Sequence, residues 1–204
     1  MERRVISITG QPLSANIRRA VLAQAGIVHQ AMSAACDEEV EKARLRAQGV
    51  DAAGLALGLA EAKALSVSNQ DKGALVLGCD QTLALDDGTQ FDKAPDMAAL
   101  AAQLAVLSGR THVLHAAMAI AYDGAIIWRH VEPARMTMRP LSAQFIDAYL
   151  EAEGPDLLSG VGGYRIEGRG IQLFEQIEGS HFTIIGLPLL PLLAYLRDAG
   201  VIAQ

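Results

Sequence analysis

The sequence predicts an α/β fold with a mixed sheet. Helical and strand patterns alternate along its 204 residues, which argues for helices layered on a sheet. A compact apolar run, residues 74–77, leads directly into Gly78-Cys79-Asp80-Gln81. Two longer strand-like runs bracket Asp123-Gly124, a hairpin signal that makes one strand pair antiparallel.

Residues 5–9 read as a first strand, closed by Gly10. A loop over 11–17 follows, with Asn16 as the cap of a helix over 17–25 that stops at Gly26. Residues 27–32 form a second strand. Asp37-Glu38-Glu39 opens a charged helix to about residue 48, its acids at the positive end of the helix dipole. Residues 55–66 make an apolar helix. The strand entering Asp80 resumes over 82–85 and turns at Asp86-Asp87-Gly88. An Ala/Leu helix over 96–107 ends at Ser108-Gly109. Residues 113–122 and 125–130 form the hairpin, and 131–139 a further strand ended by Pro140. Ser142 caps a helix to 151. A glycine-rich stretch over 160–170 precedes a strand over 171–177 and a short apolar run over 182–185. A final helix over 187–196 holds Pro188 in its first turn. No repeat or linker divides residues 1–204, which read as one domain.

Composition narrows the function classes. Hydrophobic residues make up 51% and charged residues 20%, which excludes a disordered chain. A formal net charge of -6 argues against a nucleic-acid binder with a broad basic face. No apolar run reaches the ~20 residues needed to cross a bilayer, and the N-terminus lacks a signal-peptide pattern, so a soluble cytoplasmic protein is expected. The two cysteines, Cys36 and Cys79, make neither a disulfide framework nor a zinc site; they read as reduced, buried thiols. The five histidines, His29, His112, His115, His130 and His181, lack metal-ligand spacing.

Asp80 is the sharpest single candidate. It stands at the end of a buried strand, where open α/β sheets place ligands, and reads either as a general base or metal ligand or as an acid capping a turn. Arg18 and Arg19 open the first expected helix, an unfavourable end for cations. They read as an anion site or as a solvated face. Lys63, Lys93 and the pair Asp37 and Glu38 carry the same ambiguity when taken singly.

Taken in order, the segments resemble the Maf family of nucleoside triphosphate pyrophosphatases over nearly the whole chain. The resemblance is carried by the run from Arg18-Arg19 to Gly26-Ile27, by Asp37-Glu38, by Leu59-Ala60-Glu61-Ala62-Lys63-Ala64 and by Gly78-Cys79-Asp80-Gln81. Lys93, Leu107-Ser108-Gly109-Arg110-Thr111-His112, Gly163-Tyr164-Arg165-Ile166-Glu167-Gly168, Ile177-Glu178-Gly179-Ser180 and Ile185-Gly186-Leu187-Pro188-Leu189 complete it.

The resemblance implies a mixed sheet in two lobes with flanking helices and a central cleft. It implies hydrolysis of a nucleoside triphosphate between its α and β phosphates, with a divalent metal such as Mg²⁺ or Mn²⁺. Asp80 matches the family's proton acceptor, Arg18, Lys63 and Lys93 its cationic positions, and Glu38, with Asp80, its metal-holding acids. Ile17, Gln81 and Glu167 match three positions that separate subgroups, in the pattern of enzymes acting on 7-methyl-GTP. The carboxylate of Glu167 suits a base that carries positive charge. A dTTP or UTP pyrophosphatase is the alternative substrate reading. A nucleotide-binding regulatory protein with weakened chemistry is the alternative class, and a homodimer is admitted.

Three departures stand out. Leu13 and Ala15 replace serines in the first loop, leaving Thr9 or Ser14 to supply a hydroxyl. Asp92 places an acid beside Lys93, unfavourable for a triphosphate unless it points away. Ala116-Ala117 replaces the usual Thr-Gly.

Overall fold

In a computed structural model of the chain, residues 6–9 and 12–203 are described, without the side chains of residues 12–15. Val5 and Gly10, the expected ends of the first strand, and the side chains of Leu13, Ser14 and Ala15 therefore lie outside the description. The elements in order are β1 (Ile6–Thr9), α1 (Pro12–Gln24), β2 (His29–Met32), α2 (Glu38–Ala47), α3 (Ala52–Ser68), β3 (Leu75–Leu85) and β4 (Gln90–Phe91). Then come α4 (Met97–Leu107), β5 (Thr111–Tyr122), β6 (Ala125–Met138), α5 (Ala143–Glu153), β7 (Phe174–Glu178), α6 (His181–Ile184) and α7 (Leu189–Asp198).

The strands form one mixed sheet in the order β2-β1-β3-β5-β6-β7, with β4 on β3. The β2-β1-β3 part is parallel and the rest antiparallel. This is the predicted class. Among the described residues no helix is long and apolar enough to cross a membrane.

Strands β3 and β5 join two cores. Leu75, Leu77 and Cys79 of β3, with Met118 and Ile120 of β5, pack against α1 and α7. Farther along, Leu83 and Leu85 of β3 and Leu114 of β5 pack against α4 and α5. Between the two cores lie Asp80, Gln81 and Thr82.

Helix α3 covers the middle of the sheet. Apart from Glu61 and Lys63 its long side chains are apolar all round, as suits a buried helix, and Ala56, Ala60 and Ala64 meet Ala117, Ala119 and Ala121 of β5. These small residues let helix and sheet approach closely. Gly78 is part of the same contact. A Cβ there would stand 2.1 Å from the Ala60 carbonyl oxygen and 2.8 Å from the Ala64 nitrogen, so the close approach that Gly78 allows is to α3.

Helix starts follow their caps. Asp37 accepts from the Glu39 and Val40 amides at 3.1 and 3.2 Å, Asp96 from Ala99 at 2.8 Å and Ser142 from Phe145 at 3.1 Å. Three expectations change. Helix α1 begins at Pro12, a residue well suited to a first helical position, so residues 12–17 are helical and Asn16 is no cap. Residues 125–130 and 131–139 are not two strands but one, β6. Pro133 is tolerated inside it because β7 pairs only from Arg135 onward, leaving that stretch as an outer edge. The last strand starts at Phe174, after a 3₁₀ turn over Arg169–Leu173.

Candidate active site

Asp80 is not at a strand end. It sits inside the continuous strand β3, and β5 pairs with it along the whole stretch. On the other edge, β1 covers Leu75–Leu77 and β4 covers Leu83 and Ala84. Residues 78–82 thus have no strand neighbour on that edge among the described residues. The gap puts Asp80 and Gln81 at an opening in the sheet, just past the C-terminal end of its parallel ladder, where ligand crevices form. Alternation along the strand sends the two side chains to opposite faces. Asp80 shares a face with Gly78 and turns toward α3, whereas Gln81 turns toward α6.

The α3 face is charged. Lys63, only 5% exposed, projects from α3, and its Nζ lies 2.5 Å from Asp80 and 3.1 Å from Glu38. Burial works against its charge, but the two carboxylates prevail and hold its pKa above the usual lysine value. Lys93, half-buried on the segment after β4, goes the other way. Burial and the Lys63 charge push its pKa down against the pull of Glu38 and Asp80. Arg18 is 6% exposed and lines the same cavity as Lys63, Asp80 and Lys93. Its Nε has no hydrogen-bond partner among the described residues. A buried, incompletely satisfied guanidinium is costly unless an anion meets it. Gly186, at φ +81°, makes room for it, since a Cβ there would stand 2.6 Å from Arg18 Nη2.

Because α1 begins at Pro12, Arg18 and Arg19 lie well inside the helix, and the helix-dipole argument for them falls away. Arg18 is buried and Arg19 is exposed. The acidic pair also divides its labour: Asp37 caps α2, while Glu38 reaches Lys63. No group of three or more His, Cys, Asp or Glu side chains converges as a metal cage among the described residues. Glu38 and Asp80 do converge on one cationic atom, Lys63 Nζ. One or two carboxylates completed by phosphate oxygens and water is the usual protein environment of Mg²⁺, so this donor pair fits an ion that arrives with a polyphosphate.

The other face opens on an apolar cavity of about 240 Å³. Ile17, Leu114, Tyr164, Ile166, Ile184 and Ile185 form much of its wall, with Arg18, Gln81 and the exposed Glu167. Ser159, Gly160 and Val161 border both this cavity and the charged one. Gln103, buried on α4, donates to the Val161 carbonyl at 2.6 Å and holds that segment. Tyr164 Oη lies 2.6 Å from His112 Nε2, and burial drives the His112 pKa down to about 4. Gln81 Nε2 donates to the carbonyls of Thr183 at 3.0 Å and Ile184 at 3.1 Å. Its carbonyl oxygen is the end that remains for the cavity.

Eight candidates therefore border one connected cleft: Ile17, Arg18, Gln81 and Glu167 on the apolar cavity, and Glu38, Lys63, Asp80 and Lys93 on the charged side; Arg19 and Asp37 do not line it. The Maf-like protein family model matches residues 14–199. The chain belongs to the Maf-like family. It is 50% identical to a 7-methyl-GTP pyrophosphatase of Mesorhizobium japonicum over 99% of both chains. It is 52% identical to a 7-methyl-GTP pyrophosphatase of Brucella abortus over 88% of this chain and 90% of that one. A nucleoside triphosphate pyrophosphatase of Nitrobacter winogradskyi is 47% identical over 92% of this chain and 91% of its own.

Within this Maf-like site the departures find physical accounts. Asp92 turns to α2, where Arg46 Nη2 holds it at 2.9 Å and Lys42 Nζ at 3.4 Å. Burial opposes its charge, but these two cations keep its pKa below the usual carboxylate value. Ala116 and Ala117 are fully buried on opposite faces of the sheet, Ala117 against α3 and Ala116 on the face of Gln81. Thr9 spends its hydroxyl on the Leu77 carbonyl at 3.4 Å. Cys79 is buried but Cys36 only partly so. Sequence reasoning missed Lys42, Arg46 and Gln103. The first two repeat at one-turn spacing on α2, a detectable stripe, whereas a single glutamine on an apolar helix gives no such signal.

Proposed function

We propose that this Maf-like protein is a nucleoside triphosphate pyrophosphatase that splits the α–β phosphoanhydride, with 7-methyl-GTP as its preferred substrate class. The observation that carries the reading is the continuity of a charged pocket holding Arg18, Lys63, Asp80 and Lys93 with an apolar pocket holding Ile17, Gln81 and Glu167. One end suits phosphates and the other suits a base. Relatives that share about half their residues with this chain carry the 7-methyl-GTP pyrophosphatase name, at 50% identity in one case.

In this reading Asp80 accepts the proton of a water that attacks the α-phosphorus. The P–O bond to the β-phosphate breaks, and its electron pair leaves with pyrophosphate. Arg18, Lys63 and Lys93 bind the phosphates and stabilise the charge that grows on the leaving group. The phosphates in turn favour the charged form of Lys93, which burial alone disfavours. Glu38 and Asp80 would hold a divalent metal, Mg²⁺ or Mn²⁺, which supplies further neutralisation of the phosphates when bound. Ile17 packs on the base, the Gln81 carbonyl oxygen accepts from a base or ribose donor, and Glu167 favours the positively charged methylated ring.

A dTTP or UTP pyrophosphatase would use the same charged end, but a neutral pyrimidine brings no positive charge to Glu167. The regulatory alternative draws on the altered first loop and on the acid at Asp92, and the pairing of Asp92 with Arg46 and Lys42 weakens the second of these. The test is pyrophosphate release from 7-methyl-GTP, GTP, dTTP, UTP and CTP with Mg²⁺ or Mn²⁺, by wild type and Glu167→Gln. Preference for 7-methyl-GTP is expected. Glu167→Gln should reduce its advantage over GTP about fivefold, the scale of an exposed ion pair. Preference for dTTP or UTP would keep the reaction and overturn the base assignment; no release from any nucleotide would overturn both.

A further inference from the structure

Gln81, Ala116 and Glu132 stand in one row across three adjacent strands. Gln81 of β3 is registered with Ala116 of β5, and Ala116 with Glu132 of β6. Partners across antiparallel strands point to the same face, so Gln81 and Glu132 flank the small, fully buried Ala116. Helix α6 packs over β5 and β6 at this trough. Its Thr183, itself fully buried, joins the two sides: the Thr183 hydroxyl donates to Glu132 Oε1, and the Thr183 carbonyl accepts from Gln81 Nε2. The next carbonyl, Ile184, accepts from the same nitrogen. Ile184 and Ile185 continue into the wall of the apolar cavity. The second carboxylate oxygen, Glu132 Oε2, lies 3.4 Å from His130 Nε2, and His130 stacks on Trp128.

This arrangement solves a local problem. A four-residue helix such as α6 has little stability of its own. It must nevertheless present two carbonyls to Gln81 in a fixed place, because an amide can turn over and exchange its oxygen for its nitrogen. With the nitrogen held by two carbonyls, only the oxygen can serve the cavity. We infer that Glu132 is a positioning residue for base selection, which acts through Thr183 to fix α6 and thereby the orientation of the Gln81 amide. The inference rests on the reading of Gln81 as a base-contacting residue. Glu132 is not among the described residues that line the charged end, and the motifs that carry the family resemblance do not include it.

Three variants test this by calorimetric titration with 7-methyl-GMP and UMP, and affinity for these products does not require turnover. Thr183→Val removes the hydroxyl and keeps the shape, Glu132→Ala removes the acceptor, and Glu132→Gln retains a carbonyl that can accept from Thr183. The affinity ratio for 7-methyl-GMP over UMP should fall about three- to tenfold in the first two, the scale of one hydrogen bond, and recover in Glu132→Gln. In a Gln81→Leu background the same changes should leave the ratio unaltered. A ratio that falls equally in that background would make Glu132 merely structural and overturn the inference, as would a ratio indifferent to Thr183→Val and Glu132→Ala while Gln81→Leu abolishes it. A wild-type protein with no preference, or one indifferent to Gln81→Leu, would instead bring down the base reading itself and this inference with it.

Discussion

At the charged end of the cleft, side chains from α2, α3 and β3 meet as ions, and Lys63 is shared between Asp80 and Glu38. At the apolar end, directional hydrogen bonds do the holding, most of them between neutral groups, with the bond from Thr183 to the Glu132 carboxylate as the exception. The His112–Tyr164 contact, the two Gln81 bonds to α6 and the Gln103 bond to Val161 fix the wall. The contrast has a structural origin. The charged end rests on β3 and the long helix α3, whose close approach is set by alanines and Gly78. The apolar end is made largely of α6 and of the segment 160–167 that follows another 3₁₀ turn, Pro155–Ser159, and short elements need long-range hydrogen bonds to hold them. Rigid elements can carry opposed charges at fixed distance; short and irregular ones are steadied by directional hydrogen bonds.

The strongest way to break this comparison is at Asp80. If the charged end does the chemistry and the apolar end only selects, Asp80→Asn should lower kcat about 10³-fold, within the range for loss of a general base. Affinity for 7-methyl-GMP should change little, since the apolar cavity is intact. Turnover near wild type would remove Asp80 from the role of base. A parallel loss of monophosphate affinity would show that the two ends are not separable.

Acid sharpens the comparison, because the two ends titrate in opposite directions. His112 has a pKa of about 4 in the folded protein, depressed by burial, against about 6.5 when unfolded. As pH falls, the unfolded chain takes up this proton first. The stability linked to His112 is therefore complete above about pH 6.5 and is lost progressively toward pH 4, up to about 3 kcal/mol in all. Lys63 behaves oppositely. Its raised pKa makes its contribution complete below the ordinary lysine value and lost only as pH rises through the raised one. Denaturant unfolding of wild type and His112→Gln at pH 7.5 and 4.5 checks this. A shallower acid slope is expected in the variant, and equal slopes would relieve His112 of the effect.

What the sequence revealed divides along the same line. Helices α2, α4 and α5 were legible because Asp37, Asp96 and Ser142 announce their starts, and the hairpin because Asp123-Gly124 announces its turn. Each of the eight candidate residues was found through its type and motif, and all eight border the cleft. The surroundings of Asp80 were not legible. Its strand reads as interrupted there, because glycine, cysteine and acid break the apolar run, whereas β5 pairs with it throughout and only the opposite edge is open. Which edge is open is a property of the sheet, not of the strand. Likewise residues 125–130 and 131–139 read as two strands, although β6 runs through both and its Pro133 sits harmlessly on an outer edge. The row of Gln81, Ala116 and Glu132 joins residues from three strands, and no local pattern in any of them marks it.

The smallest expected effect concerns the acid that the sequence placed beside Lys93. Asp92 is about half exposed, and Arg46 and Lys42 both lie within ion-pair distance of it. Exposed pairs of this kind contribute little to stability, typically under about 1 kcal/mol, so Arg46→Ala should leave the unfolding midpoint almost unchanged. Its consequence should appear in substrate affinity instead. Without the guanidinium, Asp92 keeps only Lys42 and presents more uncompensated charge to an approaching triphosphate. KM for 7-methyl-GTP should rise about two- to threefold with kcat nearly constant, and the rise should shrink at high salt, where such charges are screened. The double variant Arg46→Ala, Asp92→Asn should restore the wild-type KM, because it removes the charge that Arg46 is there to balance. If the double variant binds no better than Arg46→Ala alone, Arg46 meets the phosphates itself, and the charged end extends one helical turn farther along α2 than Lys42.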